Sequence, residues 1–229
     1  MPKPREPDEV NGKPKRGWAL AIALGLIIGG LFGGTAAALL WHHSHEAALP
    51  SACAAIGCSD LGTGMSPGLT LTDQSGKAVS LSSLRGKVVV LAFMDPVCVD
   101  ICPLVSDEFL RAQRILGSAA ANVEFVGVNV NQFQESQAAV ESFSVKHRLN
   151  TMANWHFLTG STDQLRQVWS AYHVAVLPNP TGDVAHTSVL YLIDPDGHLR
   201  VEAFPVKSKA SVITWAHSIA SLVTWLYSN

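Results

Sequence analysis

The chain has 229 residues, of which 48% are hydrophobic, so it is long enough to bury one medium domain and to carry an appendage. Its formal net charge is only −2 and no basic patch stands out, which argues against a nucleic-acid-binding protein. Charge is uneven only at the start, where residues 1–17 hold five basic and three acidic side chains.

An uncharged apolar segment, 18–41, follows this tail and is bounded by Trp18 and Trp41. As a helix it would span roughly 36 Å, more than the ~30 Å hydrocarbon core of a bilayer. We therefore predict one transmembrane anchor, with the basic tail 1–17 in the cytoplasm and the rest of the chain extracytoplasmic or periplasmic. A cleaved signal peptide is the alternative, although the segment is long for one.

Residues 42–66 are small and polar with little periodicity, so we predict a linker there. Cys53 and Cys58 lie within it, and in an exported segment they are expected to form a local disulfide. The alternative is a mobile auxiliary metal site, whose other donors would be His42, His43, His45 and Met65.

From residue 67 to residue 229 the chain alternates between strand and helix patterns. The predicted strands are 69–72, 78–80, 88–94, 123–130, 155–158, 189–193 and 199–204. The predicted helices are 106–116, 137–149, 162–172 and 209–226. Ser161 and Gln164 form the capping signal of the third helix. This alternation predicts an α/β domain with a mixed central sheet flanked by helices.

Cys98 and Cys102 follow the apolar strand 88–94, at the corner where a helix should begin. In a βα unit this corner bears the functional site, and a helix N-terminus favours a thiolate over a thiol. Three residues separate the two cysteines, a spacing that can close a disulfide or hold one metal ion between two sulfurs. A static disulfide is the alternative to a functional pair.

His186 precedes the strand 189–193. In a thioredoxin-like sheet that strand neighbours 88–94, which would bring the imidazole near the two thiols. Thiolates suit Cu(I), and an added imidazole also accommodates Cu(II), so copper is the metal that this donor set favours. Zinc is the rival on ligand type alone.

Three motifs, in order, resemble those of the SCO/SenC family. They are 93–103 with Cys-Val-Asp-Ile-Cys-Pro, 155–172 starting Trp-His-Phe-Leu-Thr-Gly-Ser, and 186–197 with Tyr-Leu-Ile-Asp-Pro-Asp-Gly. The resemblance covers about residues 66–205 and implies a thioredoxin-like fold, a membrane tether, and copper bound by Cys98, Cys102 and His186. It also implies a partner, the copper-bearing subunit of cytochrome c oxidase or another cuproprotein.

Two features depart from related patterns. Where the family usually has an Asp-Pro-Glu-Arg-Asp-like segment, 129–135 reads Asn-Val-Asn-Gln-Phe-Gln-Glu, without the acidic and arginine groups that could mediate docking. A thioredoxin carries a cis-proline beside its thiols, but no proline lies just before Val189, and His186 occupies that neighbourhood. The second departure disfavours a general oxidoreductase.

The resemblance implies a membrane-tethered copper metallochaperone rather than a turnover enzyme, one that supplies the binuclear copper centre of cytochrome c oxidase during assembly. The alternative is an extracytoplasmic thiol–disulfide reductase acting on client cysteines. In that case Cys98 is the expected nucleophile, because it lies nearer the exposed loop. The two hypotheses differ at His186, which copper binding requires and thiol exchange does not.

Overall fold

The computed structural model describes residues 49–206, 208 and 211–228. The helices are α1 (Ser51–Ile56), α2 (Ile101–Leu116), α3 (Gln137–Lys146), α4 (Thr162–Ala171) and α5 (Val212–Ser228). The strands are β1 (Ser59–Asp60), β2 (Thr70–Thr72), β3 (Ala78–Ser80), β4 (Val88–Met94), β5 (Val123–Asn129), β6 (Trp155–Leu158), β7 (Val176–Leu177), β8 (Ala185–His186), β9 (Leu190–Ile193) and β10 (Leu199–Ala203).

Six strands form one mixed sheet in the order β1-β10-β9-β4-β5-β6. The strands β4, β5 and β6 run parallel, whereas β9 is antiparallel to β4, from the pair Val89–Ile193 to the pair Ala92–Leu190. This pairing confirms that the strand after His186 lies beside the strand before the thiols. The mixed sheet flanked by helices is therefore the predicted architecture.

Every residue of β4 is buried, because the strand has packed elements on both faces. Alternate side chains point to opposite faces of a strand, and accordingly Val90 belongs to one hydrophobic cluster and Leu91 to the other. The first cluster lies under α2 and α5 and includes Phe109, whose ring centroid is 5.1 Å from that of Phe125. This double burial explains the continuous apolar run in the sequence.

Helix α2 begins at Ile101, five residues before the predicted start, so the second cysteine lies inside its first turn. The side chain of Asp100 accepts a hydrogen bond from the Ile101 N–H at 2.5 Å and caps the helix. Pro103 lies within this first turn, where a helix needs no intrahelical N–H donor, so a proline fits there. The other predicted helices differ from the structure by a few residues at their ends.

Within the predicted linker 42–66, the described part has regular structure. Helix α1 packs against α5, and β1 pairs with β10 at the edge of the sheet. Cys53 is buried in the core and forms the expected disulfide with Cys58, with the two Cα atoms 5.0 Å apart. The compact unit begins at Leu49.

Several N-terminal predictions concern residues outside the described part of the chain. They are the cytoplasmic tail 1–17, the anchor 18–41 and the three histidines His42, His43 and His45. Within the described ranges, none of the helices combines the length and apolar character that a membrane crossing requires.

Candidate metal centre

The loop between β4 and α2 carries the first cysteine. Asp95 and Cys98 form a turn here, in which the Cys98 N–H donates to the Asp95 carbonyl oxygen at 3.1 Å. Cys102 follows on the first turn of α2, with its own N–H pointing back at the Cys98 sulfur at 3.5 Å. The predicted corner therefore holds both thiols, and the helix N-terminus is directed at Cys98.

Both cysteines are free thiols and both are buried, with Cys98 at 5% and Cys102 at 2% exposure. A hydrogen bond from the Cys102 side chain lowers the pKa of Cys98, and it outweighs the opposing effect of burial. The same hydrogen bond, together with burial, raises the pKa of Cys102 well above its ordinary value. The pair is therefore asymmetric, and the thiolate form is more favourable at Cys98 than at Cys102.

Two carboxylates lie close to the Cys98 sulfur. Its Sγ and one carboxylate oxygen each of Asp100 and Asp183 fall within 4.8 Å of one another. Cys102 and His186 do not belong to this group of donors within the described ranges. The structure thus adds two oxygen donors beside Cys98 that the sequence did not indicate, and it does not draw the three predicted ligands into an equally tight cluster.

His186 ends the short strand β8, which pairs with β7 through Val176. Its Nδ1 lies 3.0 Å from the carbonyl oxygen of Thr187. A carbonyl oxygen only accepts, so Nδ1 donates and the lone pair is left on Nε2. Burial lowers the pKa of His186 despite the Thr187 hydrogen bond and the nearby carboxylates, which keeps the ring neutral at neutral pH. A neutral ring fixed through its other nitrogen is the form that ligates metals.

An open cleft of about 560 Å³ brings Cys98 and His186 together. Asp100 and Asp183 also line it, and Leu177 forms part of its apolar wall. Leu177 is 69% exposed, so the cleft opens beside an apolar rim. Cys102 is absent from the described lining and contacts the cleft through Cys98. Two of the three predicted ligands therefore share one accessible cleft, and the third lies behind the first.

Asp95 and Asn131 are site residues that the sequence reasoning missed. The Asp95 carboxylate is fully buried and accepts from the N–H groups of Val97 at 2.9 Å and Val184 at 2.7 Å. Asn131 Nδ2 donates to both of its oxygens, at 3.1 Å and 3.2 Å. A carboxylate placed between a buried strand and a cysteine was the one available signal, but its partners lie far along the chain.

Met65, a candidate for an auxiliary site, is exposed and forms an isolated antiparallel bridge with His198. The side chain of His198 interacts with Asp194, at 3.0 Å from Nδ1 to the carboxylate. Cys53 and Cys58 are engaged in their disulfide. The described candidates for the auxiliary metal site, Met65, Cys53 and Cys58, are therefore each engaged in a structural contact.

Comparisons with known proteins agree with the motifs. The family model SCO1/SenC matches residues 63–224. The SCO1 protein homolog of Bacillus subtilis (strain 168) is 30% identical over 131 residues, covering 56% of this chain and 67% of the relative. The thiol-disulfide oxidoreductase ResA of the same organism is 31% identical over 131 residues, covering 57% of this chain and 60% of ResA.

A solved structure of Bradyrhizobium japonicum ScoI with copper bound is similar in fold and sequence. It superposes with a TM-score of 0.58 and 28% identity, covering 71% of this chain and 99% of ScoI. The thioredoxin-like fold expected from the sequence agrees with this neighbour. Since the family model spans most of the domain, the chain belongs to the SCO1/SenC family.

Proposed function

We propose that this protein is a membrane-tethered copper metallochaperone, which delivers copper to the binuclear copper centre of cytochrome c oxidase during its assembly. Its ligands would be Cys98, Cys102 and His186, and the anchor 18–41 would hold the domain on the extracytoplasmic side. The observation that carries the proposal is that Cys98 and His186 line the same cleft while Cys102 hydrogen-bonds to Cys98. Copper is cargo in this proposal, bound in order to be released.

The chemistry of the donors fits copper. A thiol with a lowered pKa supplies a soft anionic sulfur, and the neutral His186 ring supplies a nitrogen whose orientation is set by Thr187. This combination of thiolate and imidazole suits Cu(I) and tolerates Cu(II). The Cys102 side chain already hydrogen-bonds to Cys98, but the three proposed ligands do not all lie within 4.8 Å of one another, so loading would require the His186 side chain to move toward the two sulfurs.

The shape of the site suits transfer. The cleft is open, so a partner's thiol or imidazole can reach the metal while the chaperone's ligands still hold it. Val99, at 77% exposure, lies next to Cys98 in the chain and provides apolar surface for a partner to cover. Stepwise ligand exchange between the two proteins would follow, with the buried Cys102 the last sulfur to release the ion.

A second function, thiol–disulfide reduction, is favoured by the opposite pKa shifts of the two thiols and by the similarity to ResA. The Cys98 thiolate would attack a client disulfide, and one client sulfur would leave as a thiol after protonation. Cys102 would then lose its proton and attack Cys98, which releases the second client thiol. The client gains two electrons, and the Cys98–Cys102 pair becomes a disulfide.

Copper affinity separates the two functions. The reduced full-length protein is titrated with Cu(I) against a chelator, beside the variants His186→Ala and His217→Ala. His217 is an exposed histidine on α5 and serves as the matched control. Loss of a direct ligand should weaken binding by more than the roughly 10- to 100-fold cost of losing an outer-shell partner. Equal affinity in all three proteins would contradict the proposed site, and no binding by the wild type would leave thiol exchange as the function.

A further inference from the structure

Asp95 connects two loops that are 89 residues apart in sequence. Its carboxylate accepts from Val97 in the thiol loop and from Val184 in the loop that leads to His186. Both bonds are charge-assisted and both oxygens are used. The side chain is fully buried, so water cannot replace either N–H partner.

Asn131 ties a third loop, between β5 and α3, into the same network. Its Nδ2 donates to both Asp95 oxygens and also lies 3.2 Å from the carbonyl oxygen of Gly182. Its Oδ1 accepts from the Phe133 N–H at 3.0 Å, which fixes the orientation of the amide. The amide therefore bridges the carboxylate and the loop before His186.

This network accounts for an amide rather than a carboxylate at position 131. A carboxylate at position 131 would face the buried carboxylate of Asp95 at about hydrogen-bond distance, and two like charges repel strongly in a buried site. An amide at that position donates instead. The amide of Asn131 is thus complementary to the carboxylate of Asp95.

We propose that Asp95 is the positioning residue of the metal centre: with Asn131, it holds the Cys98 loop against the His186 loop so that thiol and imidazole face one cleft. The expected effect of Asp95 on copper binding rests on the proposed function. The contact between the two loops does not depend on that function, because protein groups alone form it. Without the carboxylate, the N–H groups of Val97 and Val184 lose their acceptor, and nothing else described in the structure links these two amides.

The test compares Asp95→Asn with Asp73→Asn in the full-length protein. Asp73 is the matched control, because it is also a buried carboxylate that accepts from two backbone N–H groups, those of Ser75 and Lys77, but in a turn that does not line the cleft. Cu(I) affinity should fall about 10- to 100-fold in Asp95→Asn, the usual cost of losing an outer-shell partner. The Cu(I) affinity of Asp73→Asn should equal that of the wild type. The thermal unfolding midpoint of Asp73→Asn measures how much the loss of a buried carboxylate alone destabilises the fold.

A second readout needs no copper. Amide hydrogen exchange at Val97 and Val184 should accelerate together in Asp95→Ala, whose side chain has no acceptor, while the amides of β9 keep the wild-type rates. Unchanged exchange at Val184 in Asp95→Ala, or an equal loss of Cu(I) affinity in Asp95→Asn and Asp73→Asn, would overturn the positioning role. If the wild type binds no copper, the proposed function fails, and the exchange pattern still decides whether Asp95 holds the two loops together.

A milder variant covers the case in which Asp95→Asn does not fold. Asn131→Ala leaves the carboxylate and its two backbone donors in place but removes the link to Gly182. Exchange at Val184 should then accelerate less than in Asp95→Ala, and Cu(I) affinity should fall by a smaller factor than in Asp95→Asn. Wild-type exchange and affinity in Asn131→Ala would contradict the network.

Discussion

The two cysteine pairs have similar spacing and opposite states. Cys53 and Cys58 are five positions apart and form a disulfide, whereas Cys98 and Cys102 are four positions apart and remain free thiols. Both pairs lie at a helix end and both include a buried sulfur. Spacing and burial therefore do not explain the difference.

The helix end that each pair occupies differs. Cys58 lies just beyond the C-terminal end of α1, where its N–H donates back to the Cys53 carbonyl oxygen at 3.1 Å and the helix end disfavours a negative charge. Cys98 lies before the N-terminal end of α2 and receives an N–H from Cys102. The first environment suits a neutral crosslink, and the second suits a thiolate that binds metal or reacts. Helix polarity is thus the structural feature that distinguishes the disulfide-bonded pair from the pair of free thiols.

Copper binding should give the largest contrast. Cys98→Ala removes a proposed ligand, so Cu(I) affinity should fall by more than the roughly 10- to 100-fold effect of an outer-shell change. The double variant Cys53→Ser/Cys58→Ser should bind copper as the wild type does. Competition titration of the two variants checks both statements. Copper loss in the double variant would mean that the first pair is a metal site too.

Stability should show the reverse contrast. The Cys53–Cys58 disulfide closes a loop of six residues, so its removal should lower the free energy of unfolding by about 2 kcal/mol. Urea denaturation of the double variant measures the loss. Addition of a reductant should bring the wild type to the variant's midpoint and leave the variant unchanged. An oxidised wild type no more stable than the variant would show that the crosslink is not structural.

A smaller effect concerns the ionisation of Cys98. The side-chain hydrogen bond from Cys102 is the largest cause of its lowered pKa, so Cys102→Ala should raise the pKa of Cys98. The midpoint of the pH dependence of alkylation should move to higher pH, with slower reaction at neutral pH. Cys98→Ala provides the background rate for Cys102. An unchanged midpoint would assign the low pKa to the helix N-terminus alone.

The smallest effect is expected at Asp100. Its carboxylate accepts from the Cys98 thiol at 3.3 Å, which favours the protonated sulfur and raises the pKa of Cys98. Asp100→Asn should therefore lower that pKa slightly, because an amide can donate to the thiolate, and asparagine still caps α2. Alkylation at pH values below the wild-type midpoint should become faster. Slower alkylation would contradict the role of the carboxylate.

Elements whose formation depends on neighbouring residues were predicted correctly from the sequence. Strand β4 and the capping box of Ser161 and Gln164 appear as expected, because an apolar run and a reciprocal cap depend on neighbouring residues. Helix α1 was missed, since six residues give no periodicity. The corner that bears Cys98 was also correctly located. Whether His186 is a copper ligand stays a prediction.

Contacts between residues far apart in the chain could not be predicted from the sequence. The pairing of Asp95 with Asn131 joins residues 36 positions apart, and no local pattern indicates it. The approach of Asp183 to Cys98 likewise depends on how the hairpin of β7 and β8 lies over the thiol loop. Such contacts arise from tertiary packing, whereas each residue alone looks like an ordinary polar loop residue.

The pairing of β1 with β10 has a consequence for self-association. The segment 59–64 directly follows the disulfide at Cys58 and covers the outer side of β10. Ser59 and Asp60 pair with the strand, the Leu61 N–H donates to the Arg200 carbonyl oxygen at 2.8 Å, and the Gly64 carbonyl oxygen accepts from the Leu199 N–H at 2.8 Å. An uncovered strand presents free N–H and C=O groups to which another copy can add a strand. Because the crosslink anchors the start of this segment, we expect its reduction to loosen the cover over the sheet edge and to favour edge-to-edge association as well as lower stability.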